Sequence, residues 1–188
     1  MTRRLVLDAS AAIAMVRSEP EGEAIRRTLE AWKRSGDTVT VPDHFWLEVA
    51  NSLTQRHRWD GADVLQAIHD LDTFELESTA LHRPLLLTAL DIIERFRLTA
   101  YDALYLAVAM MDGAFVLTLD KELAAAAGDR AVSLGGGHQL NETPAVYEHD
   151  VTWPSYARAS SYLAELRAKA RAEATERATA AGSMSRSG

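Results

Sequence analysis

Short blocks of apolar residues alternate with stretches of helical spacing along most of the chain. The blocks have the length of buried strands and fall at 5–7, 38–41, 74–76, 114–117 and 131–133. Apolar residues spaced three or four apart predict helices at 11–16, 21–34, 43–56, 61–71, 81–96, 99–111 and 121–127. Strands that alternate with helices predict an α/β fold in which helices cover both faces of a mostly parallel sheet.

The helix predicted at 43–56 illustrates how apolar and polar positions divide. Asp43 is its expected N-cap, and Phe45, Val49 and Leu53 recur every four residues as a core stripe. Glu48 lies on the adjoining face, so it borders the core and does not point away from it. Asn51, one turn later, is placed to hydrogen-bond that carboxylate or a phosphate, although an ordinary polar surface residue is an equally good interpretation.

The chain changes character near residue 138. A polar, proline-containing stretch predicts a linker, and an apolar seam of barely two heptads follows at Tyr156, Ala159, Leu163, Leu166 and Ala170. The seam suits a helix that docks on its own domain or on a partner, and it is too short for a sustained coiled coil. From residue 178 onward, Ala, Gly, Ser and Arg predict a disordered tail. We therefore expect one domain at 1–137, then a linker, a C-terminal helix and a tail at 138–188.

Four acidic residues each lie at the edge of an apolar segment. They are Asp8 after the first strand, Glu48 within an apolar helix, Asp102 at the start of a later helix, and Asp120 after the strand at 114–117. Burying an ionised carboxylate costs on the order of several kcal/mol, so four acids near one core edge would repel each other without a cation among them. Mg²⁺ and Mn²⁺ prefer the oxygen ligands that these residues supply.

Each acid also has an ordinary structural explanation. Asp102 follows Thr99 by three residues, which is the spacing of a capping box, and Asp120 is placed to cap the helix at 121–127. Asp8 could simply end a strand, and Glu48 could lie on a solvated helix face. Capping explains the residues one at a time, whereas three acids at strand-to-helix junctions and a fourth inside an apolar helix together favour a functional cluster.

In their order and spacing, the segments around these acids resemble the PIN-domain ribonucleases, and in particular the VapC toxins of bacterial toxin–antitoxin pairs. The resemblance covers residues 5–134. It rests on the strand LVL that ends in DAS at 8–10, on EVAN at 48–51, on YDALYLA at 101–107 and on TLD at 118–120. It implies a PIN-like three-layer α/β/α fold with a mostly parallel central sheet, to which the C-terminal helical extension is added.

The same resemblance implies a set of site residues and partners. Asp8, Glu48, Asp102 and Asp120 would be the catalytic acids and would bind Mg²⁺ or Mn²⁺, with Ser10 and Thr118 as supporting hydroxyls. The metal would lower the pKa of a water and stabilise charge on the phosphate during cleavage of an RNA substrate. A cognate antitoxin protein and a homodimer built on helices are also implied. Apolar surface for the dimer is expected at Leu85, Leu86, Leu90 and Ile93.

Composition restricts the alternatives. The chain has 188 residues, no cysteine and a net charge of −7. Without cysteine there is no thiol catalysis and no cysteine-based metal site, which agrees with the cytoplasmic location that we expect. The six histidines lack the paired spacing of a zinc site. Asp8 interrupts the apolar stretch near the N-terminus, which is therefore too short for an export signal or a membrane-spanning segment. We expect no membrane association.

Other functions on the same fold stay open at this point. A net-acidic body weakens the case for tight RNA binding, because Lys and Arg drive phosphate binding, but bound cations reverse the local charge. One alternative is a non-catalytic PIN-like binding module in which the acids only cap helices. Another is an RNA-processing nuclease that is not a toxin, and a third is a metal-dependent phosphatase or DNA nuclease.

Overall fold

The computed structural model describes residues 2–134. Within them lie four strands, β1 (Arg4–Leu7), β2 (Thr38–Pro42), β3 (Glu77–Thr79) and β4 (Phe115–Leu117). They form one sheet in the order β3-β2-β1-β4, and all three pairings are parallel. The expected linker, C-terminal helix and tail at 138–188 lie outside the described residues.

Seven α-helices accompany these strands in the described part of the chain. They are α1 (Ala9–Val16), α2 (Gly22–Arg34), α3 (Phe45–Asn51), α4 (Gly61–Asp72), α5 (Arg83–Phe96), α6 (Ala100–Asp112) and α7 (Lys121–Ala127). A pair of helices joins each strand to the next. These helices form the crossover connections that a parallel sheet requires. The predicted three-layer α/β/α fold is therefore confirmed. None of the helices within 2–134 has the length and apolar character needed to cross a membrane.

The central strand β1 explains why the core forms where it does. Its Leu5, Val6 and Leu7 are completely buried. Because neighbouring side chains of a strand point to opposite faces, this burial shows that both faces of the sheet are covered. Helix α6 supplies much of the cover: its residues 103–109 are all buried, and it contacts β1, β2 and β4.

The strand order places a crevice at one edge of the sheet. From β1 the chain moves outward to β2 and β3, and it then crosses back to add β4 on the other side of β1. Such a reversal separates the loops at the carboxyl ends of β1 and β4, and ligands of open α/β sheets bind there. Asp8 directly follows β1, and Thr118 directly follows β4.

The strand predicted at 74–76 is wrong. Phe74 is buried, but it belongs to the turn that ends α4, where its N–H donates to the carbonyl of Leu71. Glu75 has a φ of 55°, which no extended strand accommodates. The strand begins later, at Glu77, with mostly exposed polar side chains at the sheet edge. Phe74 and Leu76 thus belong to the end of a helix and the residues after it, and the edge strand carried no apolar signal.

Two other predicted elements differ in extent. The helix expected at 43–56 is α-helical only to Asn51 and continues as a π-helical turn at Ser52–Arg56, and its N-cap position is His44 instead of Asp43. Its predicted core stripe is nevertheless correct, because Phe45, Val49 and Leu53 are all completely buried. The strand expected at 131–133 is reduced to a single bridge between Ala131 and Val116.

The apolar positions of α5 divide between the core and the surface. Leu85, which we expected at a dimer surface, is 2% exposed and belongs to the core, because α5 packs along α6. Leu86 and Leu90 are 43% and 51% exposed. These two side chains are the part of the expected dimer surface that remains available.

Candidate active site

Asp8 is the most buried of the four predicted acids. It is 4% exposed and is the N-cap of α1, where Oδ2 accepts a hydrogen bond from the backbone N–H of Ser10. The hydroxyls of Ser10 and Thr118 donate to the same oxygen, the latter over 2.7 Å. Because Leu7 and Leu117 are paired in the parallel register, the residues that follow them lie side by side. The sheet itself therefore brings Thr118 to Asp8.

Backbone groups orient the two hydroxyls that hold Asp8. The N–H of Leu119 donates to Ser10 Oγ over 3.0 Å, and the N–H of Asp120 donates to Thr118 Oγ1 over 2.9 Å. Each hydroxyl oxygen thus accepts a hydrogen bond from the backbone, and its own O–H donates to the carboxylate. Burial raises the pKa of Asp8, the Ser10 and Thr118 hydrogen bonds lower it, and the negative charge of Glu48 raises it again.

Glu48 approaches Asp8 from α3. The hydroxyl of Tyr105 donates to Glu48 Oε2 over 2.5 Å, and His44 Nε2 lies 3.4 Å from the same oxygen. His44 precedes Glu48 by one helical turn, which places both side chains on one face of the helix. Burial raises the pKa of Tyr105 far above its ordinary value, and Glu48 and Asp8 raise it further. The Tyr105 phenol therefore stays protonated and acts as a donor.

Asp120 and Asp102 both stand at helix starts. Asp120 is the N-cap of α7, and its Oδ1 accepts hydrogen bonds from the N–H groups of Glu122 and Leu123, both over 2.8 Å. Asp102 lies in the first turn of α6, where its N–H donates to the hydroxyl of the N-cap Thr99, which in turn donates to Asp102 Oδ2 over 2.6 Å. The capping interpretation is thus confirmed for Asp120. At α6 the cap is Thr99, and among the described residues the Asp102 carboxylate accepts a hydrogen bond from the Thr99 hydroxyl and none from a backbone N–H.

All four acids use one carboxylate oxygen and leave the other without a hydrogen-bond partner among the described residues. The occupied oxygens are Oδ2 of Asp8, Oε2 of Glu48, Oδ2 of Asp102 and Oδ1 of Asp120. Capping and metal binding are therefore compatible, because a cap consumes one oxygen and an ion needs only the other. The occupied oxygen also reduces the conformational freedom of the side chain, which favours ligation by the second.

The fit to a divalent ion is partial. Asp8 and Glu48 are close enough for their charges to interact, and both are oxygen ligands of the kind that Mg²⁺ and Mn²⁺ accept. Asp120 is linked to Asp8 through Thr118, and Asp102 lies one turn before Tyr105 on α6. Yet within residues 2–134 no group of three or more Asp, Glu, His or Cys side chains is placed to hold a metal ion. The four-acid ligand set stays a prediction.

Not every predicted residue lies in this cluster. Ser10 and Thr118 do, as hydrogen-bond donors to Asp8. Asn51 is exposed, and in the described structure no hydrogen bond joins its side chain to Glu48, so the surface interpretation describes it better. Two residues that the sequence did not single out for the site are His44 and Tyr105. The available signal was their spacing, since His44 precedes Glu48 by four residues and Tyr105 follows Asp102 by three.

The fold is a parallel α/β domain with Asp8 at the switch point between β1 and β4, where open α/β sheets bind their ligands. The sequence model of the PIN domain matches residues 5–129. The chain therefore belongs to the PIN domain family, as its motifs indicated. No curated protein matches the chain significantly in sequence.

Solved structures with the same fold include three of bacterial or archaeal origin. A toxin–antitoxin complex from Klebsiella pneumoniae has a chain that is 17% identical, with a TM-score of 0.54, and the match covers 69% of this chain and 97% of that one. A Pyrobaculum aerophilum protein is 23% identical, with a TM-score of 0.51 and coverage of 69% and 83%. VapC20 of Mycobacterium tuberculosis, a toxin that cleaves the sarcin–ricin loop, is 19% identical, with a TM-score of 0.52 and coverage of 65% and 94%. At these identities the likeness is one of fold.

Proposed function

We propose that this chain is a metal-dependent endoribonuclease and the toxin of a toxin–antitoxin pair. The observation that carries the proposal is the pair Asp8 and Glu48 near the sheet's switch point. Each has one oxygen that accepts hydrogen bonding and one oxygen with no such partner within residues 2–134. Two interacting carboxylates at this depth are unfavourable unless a cation offsets their charge. PIN-family membership makes a divalent ion the natural choice.

Asp8, Glu48, Asp102 and Asp120 would hold Mg²⁺ or Mn²⁺. When bound, such an ion supplies positive charge against the phosphate and lowers the pKa of water. The protein's part is to position the acids: Ser10 and Thr118 hold Asp8, and the caps of α6 and α7 hold Asp102 and Asp120. Because hydrogen bonds within the protein hold these carboxylates, the site would be preorganised for phosphoryl transfer.

The partners follow from the same proposal. RNA is the substrate, and a cognate antitoxin protein is the inhibitor. An apolar cavity of about 230 Å³ adjoins the site and shares His44 with it, with Leu47, Leu81 and Leu104 among its other walls. Leu47 and Leu81 are 73% and 56% exposed, which suits burial by a protein partner. A homodimer through Leu86 and Leu90 and a cytoplasmic location complete the proposal.

Cleavage of labelled RNA and DNA in Mn²⁺, with a chelator control, tests the catalytic part. We expect the wild type to cut RNA, and Asp8→Asn and Asp102→Asn to lose cleavage by at least about 100-fold while keeping the fold. Asp63→Asn is the matched control, because it removes an exposed acid from the first turn of α4. Cleavage by both site variants at the wild-type rate contradicts the assignment, and cleavage of DNA alone makes the chain a DNA nuclease.

Growth tests the toxin part. Expression of the wild type alone should arrest growth, Asp8→Asn should not, and co-expression of a small protein encoded beside it should relieve the arrest. Normal growth with a protein that cuts RNA in vitro would indicate an RNA-processing nuclease instead.

A second candidate is a non-catalytic PIN-like binding module. The observation in its favour is that no metal-holding group of three acidic or histidine side chains is present in the described residues, while Asp8, Asp102 and Asp120 all serve helix starts. Calorimetric titration with Mn²⁺ separates the two. Binding that Asp8→Asn abolishes supports the nuclease, and no binding by the wild type supports the binding module.

A further inference from the structure

The Glu48 carboxylate has a donor that does not belong to the acid set. Tyr105 lies on α6, 57 residues further along the chain, and its hydroxyl reaches Glu48 Oε2 over 2.5 Å. Its side chain is completely buried, so the hydroxyl meets no bulk water. A hydrogen bond to a charged acceptor in such surroundings is short and is among the strong ones.

The surroundings of Tyr105 hold its ring beside Glu48. The ring of His44 packs on that of Tyr105 in an edge arrangement, with centroids 4.9 Å apart. His44 Nε2 lies 3.4 Å from the oxygen that Tyr105 holds, and it has no hydrogen-bond partner of its own in the described residues. Glu48 Oε2 is therefore enclosed from two sides, whereas Oε1 has no partner in residues 2–134.

We propose that Tyr105 is a positioning residue that fixes Glu48 through Oε2 and so presents Oε1 to the divalent ion. The inference rests on the proposed function, because it takes Glu48 as a metal-binding acid. Its physical basis is that the outer hydrogen bond of a ligand fixes the orientation of that ligand, and that loss of such a bond weakens metal affinity or activity by about 10- to 100-fold.

Tyr105→Phe is the direct test, because it removes only the hydroxyl. Tyr101→Phe is the matched control: Tyr101 lies on the same helix and its ring also contacts His44, but it is 59% exposed and holds no acid. Mn²⁺ affinity is measured by calorimetry, and RNA cleavage is measured over a range of Mn²⁺ concentrations. We expect Tyr105→Phe to weaken Mn²⁺ binding about 10-fold or more. Saturating Mn²⁺ should restore part of the activity, and Tyr101→Phe should behave as the wild type.

A double variant separates positioning from general packing. If Tyr105 acts through Glu48, adding Tyr105→Phe to Glu48→Gln causes no further loss of Mn²⁺ affinity. If Tyr105→Phe does not fold, Tyr105→Leu replaces it, because leucine also removes the hydroxyl and leaves Glu48 unchanged, and it should lose the same Mn²⁺ affinity. Unchanged Mn²⁺ affinity in a folded Tyr105→Phe overturns the inference, as does an equal further loss in the Glu48→Gln background.

The failure of this inference is distinct from that of the proposed function. Absence of Mn²⁺ binding by the wild type removes both. If the wild type binds Mn²⁺, and Asp8→Asn abolishes this binding while Tyr105→Phe leaves it intact, only the positioning role of Tyr105 is refuted.

Discussion

Thr118→Val tests how the fold tolerates a buried carboxylate. The Thr118 hydroxyl donates to Asp8 Oδ2 over 2.7 Å and accepts the N–H of Asp120 over 2.9 Å, and the side chain is 8% exposed. Valine keeps the shape and removes both bonds. A hydrogen bond to a charged group contributes about 1.5–3 kcal/mol, and an orphaned buried donor costs about 1–3 kcal/mol. With partial hydration of the freed N–H, we expect a loss of about 2–4 kcal/mol in the free energy of unfolding at pH 7.

The loss should depend on pH with a definite sign. Burial raises the pKa of Asp8 above its ordinary value of 3.8, so the ionised form destabilises the folded state, and the Thr118 bond offsets part of that cost. The offset matters only where Asp8 is ionised. The extra loss in Thr118→Val is therefore fully present well above the folded pKa of Asp8, and its charge-dependent part disappears as the pH falls below that pKa.

Urea unfolding in chelator, followed by tryptophan fluorescence at pH 7 and near pH 4, measures both quantities. Thr88→Val is the matched control, since Thr88 is 3% exposed and its hydroxyl donates to the uncharged carbonyl of Pro84 over 3.0 Å. It should cost about 0.5–1.5 kcal/mol at either pH. A loss in Thr118→Val that is the same at the two pH values, or one no larger than that of the control, refutes the reasoning.

Two further predictions concern stability away from the acids, and the same unfolding measurement checks both. Thr40 is 3% exposed in β2 and its hydroxyl has no hydrogen-bond partner in the described residues, so Thr40→Val should raise stability by about 1 kcal/mol; a loss would indicate an unseen partner. A Cβ on Gly22 would lie 2.7 Å from the carbonyl oxygen of Ala14, so Gly22→Ala should cost about 1–3 kcal/mol despite alanine's higher helix propensity. Gly61→Ala, where a Cβ meets nothing within 4 Å, should cost nothing, and equal effects at the two glycines would contradict the close approach of α1 and α2.

The acids show how much of the site could be predicted. Asp8 and Asp120 follow strands of a parallel sheet, and the carboxyl ends of such strands meet at one edge, so their shared location follows from the pattern alone. Glu48 was placed beside the core because the stripe of Phe45 and Val49 is unambiguous at a period of 3.6 residues. Tyr105 looked like any core aromatic, since nothing in a local segment shows which carboxylate a buried hydroxyl will meet.

The strand at Glu77–Thr79 shows the opposite case. An apolar pattern indicates burial, and an edge strand with exposed polar side chains has little apolar pattern. The pattern therefore favoured the neighbouring segment with Phe74 and Leu76. Residues 77–79 form a strand because their backbone pairs with Thr40 to Pro42 of β2, whose backbone groups on that side have no other strand to pair with in the described part of the chain.

Periodicity and residue type alone determined that this is a parallel α/β domain with carboxylates at its strand ends, since both report on which side chains leave water. The resemblance of its motifs, and not the periodicity, indicated the PIN family. Tertiary structure decided which oxygen of each carboxylate is held by a hydrogen bond and which has no such partner among the described residues. That choice depends on contacts such as Tyr105 with Glu48 and Thr118 with Asp8, which join residues 57 and 110 positions apart. Such contacts exist only once strands are in register and helices are packed. A directional hydrogen bond requires its donor and acceptor atoms to be placed within tenths of an ångström, and no local pattern encodes that precision.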